Sequence, residues 1–326
     1  MNQKIKRLVK GLGIKYGYYG LKYKFYDTTS NYSRLKYGKE KFLKEGLHKI
    51  INEYKRITPS ANLQINNKDK THLKKFPVWF CWFQGLNNAP EIVKCCYNSV
   101  LKNIDTSKEE IHIITYKNIT DYINIPNVIN LKFKKKIIPP ALYSDFIRIA
   151  LLSKYGGFWI DSTVLVTRNI SNLCSDYNYY TKKSNMSELH FGNYLLQGRF
   201  AIHLLKCDND NILINFLYDA LLLYYKKYNA IADYYLTNLL VDIAYNEIPS
   251  VKEMMNSLEI NDDGLESKMN SLLNKKFNNS IYKILCNNMP FQKLSYKHDE
   301  LKKDLNGEMT FYGYIIKNYL VNKNES

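Results

Sequence analysis

The chain has 326 residues, enough to bury a substantial core as one large domain or two small ones. Its apolar fraction of 45% and charged fraction of 24% exclude a disordered chain, and no run of about 18 uncharged apolar residues offers a membrane-spanning helix. The net charge of +17 is local: residues 1–75 hold 19 Lys/Arg against 5 Asp/Glu, a balance of +14, whereas residues 76–326 carry only +3.

In chain order, the basic segment comes first. It reads as helical to about residue 58, with breaks near residues 17–20 and 27–31. Phe42, Leu43, Leu47, Ile50, Ile51 and Tyr54 recur at helical spacing, which predicts an amphipathic helix over 39–56. Concentrated positive charge favours polyanions, and an anionic membrane surface reached through residues 1–56 is the expected partner; nucleic acid is not expected. The start lacks the apolar run and cleavage site of a signal peptide, so a cytoplasmic protein, peripheral at the inner face of the plasma membrane, is expected. A polar linker over 58–70 closes the segment.

Val78-Trp-Phe-Cys-Trp-Phe is an all-apolar run of strand formers, the pattern of a central strand covered on both faces. A glycine turn at Gln84-Gly85 ends it, and Pro90 opens a helix to about Lys102. A second strand over 110–115 makes this an α/β sheet with a nucleotide pocket expected at its carboxyl edge. A helix over about 141–155 follows, stopped by Gly156-Gly157. Strands over 158–160 and 164–166 then flank Asp161. Further helices are predicted over 213–228 and 231–244, a polar loop or surface helix over 262–276, and a strand or packed segment from Thr310. The six cysteines have no CxxC spacing, which excludes a zinc finger and a disulfide framework and leaves buried free thiols.

Asp161 lies between apolar residues, where an ionised carboxylate is costly unless something cationic meets it. A divalent ion bridging a sugar nucleotide's diphosphate meets that need, Mg²⁺ or Mn²⁺ preferring such oxygen ligands. The plain alternative is a strand-end aspartate capping a turn. Asp145 and Arg148, three apart, share a helix face. They form either an ordinary salt bridge or a site in which Arg148 forks onto phosphate and Asp145 accepts from a sugar hydroxyl.

Trp79-Phe-Cys-Trp-Phe-Gln-Gly, Ala89-Pro90, Tyr143-Ser-Asp-Phe-Ile-Arg and Tyr155-Gly-Gly-Phe-Trp-Ile-Asp-Ser-Thr together resemble the capsular polysaccharide synthesis glycosyltransferases. These are relatives of the sugar transferases with a "DxD" motif, such as yeast mannosyltransferases and clostridial glucosylating toxins. The resemblance covers about residues 76–245 and extends weakly to Leu294-Ser-Tyr-Lys297. It implies a GT-A-type fold, a Rossmann-like mixed sheet flanked by helices, over 76–326, behind a helical basic extension over 1–75.

The resemblance also implies roles. Trp82, Phe83, Gln84 and Gly85 would face the nucleotide base. Asp145 and Arg148 would contact the donor sugar and its phosphates, and Asp161, with Ser162 beside it, the metal and ribose. Asn193 would face the sugar, Lys297 would reach the diphosphate, and Asp233 would bind the acceptor or act as base. The second acid of "DxD" is Thr163 here. Either its hydroxyl completes a Mn²⁺ or Mg²⁺ site with Asp161, which is the expectation, or Arg148 with Lys293 or Lys297 neutralises the diphosphate without metal. The activity implied is sugar transfer from a nucleotide-sugar donor to a saccharide acceptor, lipid-linked, in bacterial capsule or exopolysaccharide assembly. The rivals are a haloacid-dehalogenase-like phosphatase, with Asp161 as nucleophile and Asp262–Asp263 as its acidic pair, and a non-catalytic membrane- or polysaccharide-binding protein.

Overall fold

The computed structural model describes residues 3–22, 31–57, 73–185, 196–297 and 301–320. Its helices are α1 (Gln3–Leu12), α2 (Ile14–Lys22), α3 (Asn31–Tyr54), α4 (Glu91–Lys102), α5 (Ile119–Tyr122), α6 (Asn127–Lys134), α7 (Pro140–Tyr155), α8 (Ser171–Asp176), α9 (Ile212–Lys227), α10 (Leu236–Glu247), α11 (Pro249–Ser257), α12 (Lys268–Leu272), α13 (Asn279–Asn288) and α14 (Phe311–Tyr319). Its strands are β1 (Phe76–Cys81), β2 (Glu109–Ile114), β3 (Gly157–Ile160), β4 (Val164–Val166), β5 (Tyr179–Thr181), β6 (Leu204–Cys207) and β7 (Phe291–Lys293). Contacts divide the chain into two units interleaved in sequence. One is Met1–Lys70, Tyr122–Gly156 and Asp208–Ser257; the other is Thr71–Asp121, Gly157–Cys207 and Leu258–Ser326.

The second unit carries the sheet, in the order β2-β1-β3-β6-β5, with a separate antiparallel pair β4-β7. β1 runs parallel to both β2 and β3, and β6 is antiparallel to β3 and β5. The expected mixed, helix-flanked sheet of GT-A type is therefore present. β1 is buried from Pro77 to Cys81, as a central strand must be. Phe80 joins Ile92, Val93 and Cys96 of α4, Leu165 of β4 and Ile315 and Ile316 of α14 in one apolar cluster, removing that face of the sheet from water.

Gly157 lets β3 lie against β1. Its φ is +103°, and a Cβ there would stand 2.4 Å from the Pro77 carbonyl oxygen and 2.9 Å from Trp79 Nε1. The residue before it, Gly156, ends α7 at φ 66°, donating its N–H to Leu152 O. The double glycine thus does two jobs: one residue stops a helix and the next admits a strand.

The first unit is helical. The helix predicted over 39–56 forms the C-terminal part of α3, with Phe42, Leu43, Leu47, Ile51 and Tyr54 all buried. Tyr54 donates to Asp219 Oδ2 at 2.7 Å, and Lys44 pairs with Glu247 at 2.7 Å, tying α3 to α9 and α10. The described part of the basic segment is helical, but the break expected near residues 17–20 is absent: α2 runs through them and the chain breaks instead at Gly13, φ +89°; α3 shares its core with later helices. α7 buries nine residues on nearly all sides. α9 starts at Asn211, whose side chain accepts from the N–H groups of Leu213 and Ile214.

Several elements differ from the sequence reading. The helix expected over 231–244 begins only at Leu236, because the Tyr224 hydroxyl holds the preceding loop, donating to Ala230 O and accepting from Ala232 N, each at 2.8 Å. The segment after Thr310 is helix α14, capped by the Thr310 hydroxyl accepting from Gly313 N. Strands β5, β6 and β7 were not predicted, being only three or four residues long.

Candidate functional site

In the sheet-bearing unit the carboxyl ends of three parallel strands lie on one edge. The register Cys81↔Ile114 aligns β1 with β2, and Trp79↔Trp159 sets Asp161 level with Cys81. Ligand crevices form at such edges, where strand ends and following loops converge. Here the edge presents Trp82 and Phe83 after β1, Tyr116 after β2 and Asp161 after β3.

Trp82 and Phe83 are held by the backbone. Trp82 N donates to Ile114 O at 3.1 Å, Tyr116 N to Phe83 O at 3.0 Å, and Gly85 N to Trp82 O at 2.9 Å. Gly85 takes φ +83° with open space at its Cβ position, and Gln84 O accepts from Asn88 Nδ2 at 3.0 Å. Phe83 and Tyr116 stack at 4.6 Å and 9°, with Tyr116 46% exposed. Trp82 meets Tyr296 edge-on at 5.3 Å, so the segment carrying Lys297 lies against the end of β1; Lys297 itself is exposed. Trp82 Nε1 is buried with no acceptor among the described residues. A buried donor of this kind is costly, and a ligand carbonyl can satisfy it.

Asp161 turns directly into Ser162 and Thr163, with Val164 N donating back to Asp161 O at 2.9 Å. Its Oδ1 accepts from Trp159 Nε1 at 2.7 Å and its Oδ2 from Lys293 Nζ at 2.8 Å. The Lys293 and Asp161 side chains remain 28% and 24% exposed, so a ligand can reach the pair. Thr163 is 8% exposed.

Among the described residues no three His, Cys, Asp or Glu side chains gather to hold a metal. A divalent ion on Asp161 would compete with the Lys293 ammonium for that carboxylate, and the motif offers as a further protein ligand only the neutral Thr163 hydroxyl. This donor set does not fit a resident Mn²⁺ or Mg²⁺.

Behind Asp161 sits a buried charge cluster that the sequence reading missed. Lys182 Nζ lies 3.2 Å from Asp262 Oδ2 and 3.0 Å from Glu266 Oε2, and His203 Nε2 lies 2.6 Å from Glu266 Oε1. Asp262 Oδ1 also accepts from the backbone of Leu265 and Glu266. Burial opposes ionisation of Glu266, but His203 and Lys182 outweigh it and hold the carboxyl at about 2. The region looks polar in sequence, and its only hint was acidic residues at 262 and 266.

Asp145 and Arg148 belong to the helical unit, on α7. Arg148 Nη1 lies 3.5 Å from Asp145 Oδ1, and Thr237 Oγ1 donates to Asp145 Oδ2 at 3.1 Å. Arg148 is only 4% exposed. Burial, and then the Asp145 charge, raise the Tyr225 hydroxyl well above its ordinary value. Asp233 stands in the turn before α10 rather than on a helix, its Oδ1 accepting from Tyr235 N at 2.7 Å and its Oδ2 from Lys39. Asn193 lies outside the described residues. All six cysteines are buried free thiols, and burial pushes Cys95 and Cys174 up to about 12, which suits neither a nucleophile nor a metal ligand.

The mixed sheet, with its parallel strand ends gathering aromatic, acidic and cationic side chains at one edge, defines an α/β protein of the GT-A type. The family model for capsular polysaccharide synthesis proteins matches residues 22–315, nearly the whole chain. The chain belongs to that family. No curated protein and no solved structure gave a match.

Proposed function

We propose that the protein is a glycosyltransferase that moves a sugar from a nucleotide-sugar donor to a saccharide acceptor, lipid-linked, during capsule assembly. The observation that supports this most is the shared sheet edge carrying Trp82, Tyr116 and the Asp161–Lys293 pair. Aromatic faces and an orphaned indole N–H suit a nucleobase, and a cation beside them suits its diphosphate.

In this reading Trp82, Phe83, Gln84 and Gly85 take the base, and Asp161 and Ser162 take the ribose. Lys293 and Lys297 take the diphosphate. Asp145 and Arg148 serve the donor sugar, Asn193 contacts it, and Asp233 serves the acceptor. The acceptor hydroxyl oxygen bonds to the anomeric carbon as that carbon's bond to the phosphate oxygen breaks. The bonding electrons leave with the nucleoside diphosphate, and the hydroxyl proton passes to a base or to water. The protein's largest contribution is neutralising the charge that grows on the diphosphate.

The basic segment would hold the enzyme against anionic lipid, where such an acceptor resides. No described helix is long and apolar enough to cross a membrane. The phosphatase reading is weaker, because the Asp262 carboxylate is taken up by Lys182 and two backbone N–H groups.

A panel of UDP-, GDP-, dTDP- and ADP-sugars, scored for released nucleoside diphosphate and for thermal stabilisation, tests the proposal. One or more should be hydrolysed slowly without acceptor. No release and no stabilisation by any of them would falsify it.

A further inference from the structure

We infer that Lys293, not a divalent cation, supplies the counter-charge to the donor diphosphate, with Asp161 acting as the residue that aims it. This inference rests on the transferase reading and concerns how the same site handles charge.

The geometry fixes Lys293 from several sides. β7 pairs with β4 in the register Val164↔Lys293. Lys293 N donates to Glu266 O at 2.8 Å, and Leu294 N to Thr163 O at 2.8 Å. Asp161 N donates to His203 O at 3.0 Å. Glu266 and His203, whose carbonyls accept from Lys293 N and Asp161 N, are themselves joined side chain to side chain at 2.6 Å, and Lys182 closes the cluster on Glu266. The backbones beneath Asp161 and Lys293 are therefore tied to one buried ionic cluster.

That arrangement makes the ammonium a placed charge rather than a swinging surface lysine. An ammonium has three donors; Asp161 Oδ2 takes one, leaving others for phosphate oxygens. Trp159 Nε1 occupies the other oxygen of the same carboxylate, so Asp161 is oriented as an acceptor of two donors. A carboxylate so engaged holds a cation in position for an anionic ligand and is a poor anchor for a second, divalent one. Thr163, which stands where the motif has its second acid, carries no charge with which to hold a metal.

Titration calorimetry of UDP and of GDP, in EDTA and in Mn²⁺, tests this on the full chain. Affinity for the nucleotide that binds should differ by less than about threefold between the two conditions. Lys293→Met should weaken binding in EDTA by about tenfold or more, the loss of one charge-assisted contact, and Lys293→Arg should restore most of it. Near-ultraviolet circular dichroism and melting report whether each variant is folded, and the wild-type comparison of EDTA with Mn²⁺ needs no variant. A requirement for Mn²⁺ of about tenfold or more, or full binding by folded Lys293→Met, overturns the inference and leaves the transferase reading standing. Absence of nucleotide binding in both conditions, together with no hydrolysis in the donor panel, overturns both.

Discussion

His203 and Glu266 meet at 2.6 Å, Nε2 to Oε1, although 63 residues separate them. Glu266 is 3% exposed, and with Lys182 on its other oxygen at 3.0 Å it stays ionised in a place where burial alone would protonate it.

This makes Glu266 a pH-dependent source of stability. Its carboxyl is held at about 2 against an ordinary 4.5. An acid depressed by folding stabilises fully above its unfolded value, and that contribution fades as pH falls from about 4.5 to about 2. The shift corresponds to about 3 kcal/mol. Urea midpoints measured across this acid range should fall for the wild type. For Glu266→Gln they should start lower at neutral pH and vary less with pH; equal slopes for the two proteins would refute the assignment.

Asp145 and Arg148 call for unequal substitutions. Arg148 is nearly fully buried, so Arg148→Ala strands the Asp145 carboxylate and should cost about 3 kcal/mol of stability. Its loss of activity alone would therefore say little about chemistry. Asp145→Asn keeps an oxygen for the Thr237 hydroxyl and should fold with a smaller penalty. Transfer by Asp145→Asn should fall at least about a hundredfold if the carboxylate serves the donor sugar. Wild-type transfer rates in a folded Asp145→Asn protein would reduce the pair to structure.

Gly157→Ala probes the close approach of β3 to β1. The new methyl would meet the Pro77 carbonyl at 2.4 Å at a backbone angle of +103°. Strain and displacement together should cost about 3 kcal/mol or more and lower the melting temperature by several degrees. A melting curve superimposable on the wild type would show that the strands can part without cost.

Much of this was legible in sequence because the signals were local. Val78–Phe83 is apolar throughout, and its first four residues form most of β1 while Trp82 and Phe83 follow it; Gly156 and Gly157 marked a helix stop and a strand start one residue apart. Asp161 stood out as an acid in an apolar run. What stayed hidden was long-range. Lys293 reaches Asp161 across 132 residues through a three-residue strand, too short to carry a pattern. Lys182, Asp262 and Glu266 look like surface charges until the fold buries them beside the half-buried His203. Asp233 was read onto a helix because nothing local reveals that the Tyr224 hydroxyl holds the loop before it.

The basic segment makes a prediction that the buried face of α3 constrains. Deleting residues 1–56 would remove Phe42, Leu43, Leu47 and Ile51 from the core, so lost vesicle binding by that truncation could reflect unfolding. Charge reversal is the cleaner variant, at Lys4, Lys6, Arg7 and Lys10 of α1, since it keeps the chain whole and leaves Phe42, Leu43, Leu47 and Ile51 in the core. Each basic residue near an anionic leaflet contributes about 1 kcal/mol, so the fourfold Glu variant should sediment with phosphatidylglycerol vesicles at least about a hundredfold more weakly at low salt. Sugar-nucleotide hydrolysis should be unchanged, because donor turnover in solution does not need the lipid. Equal vesicle binding by the two proteins would remove the membrane from the proposal while leaving the donor site untouched.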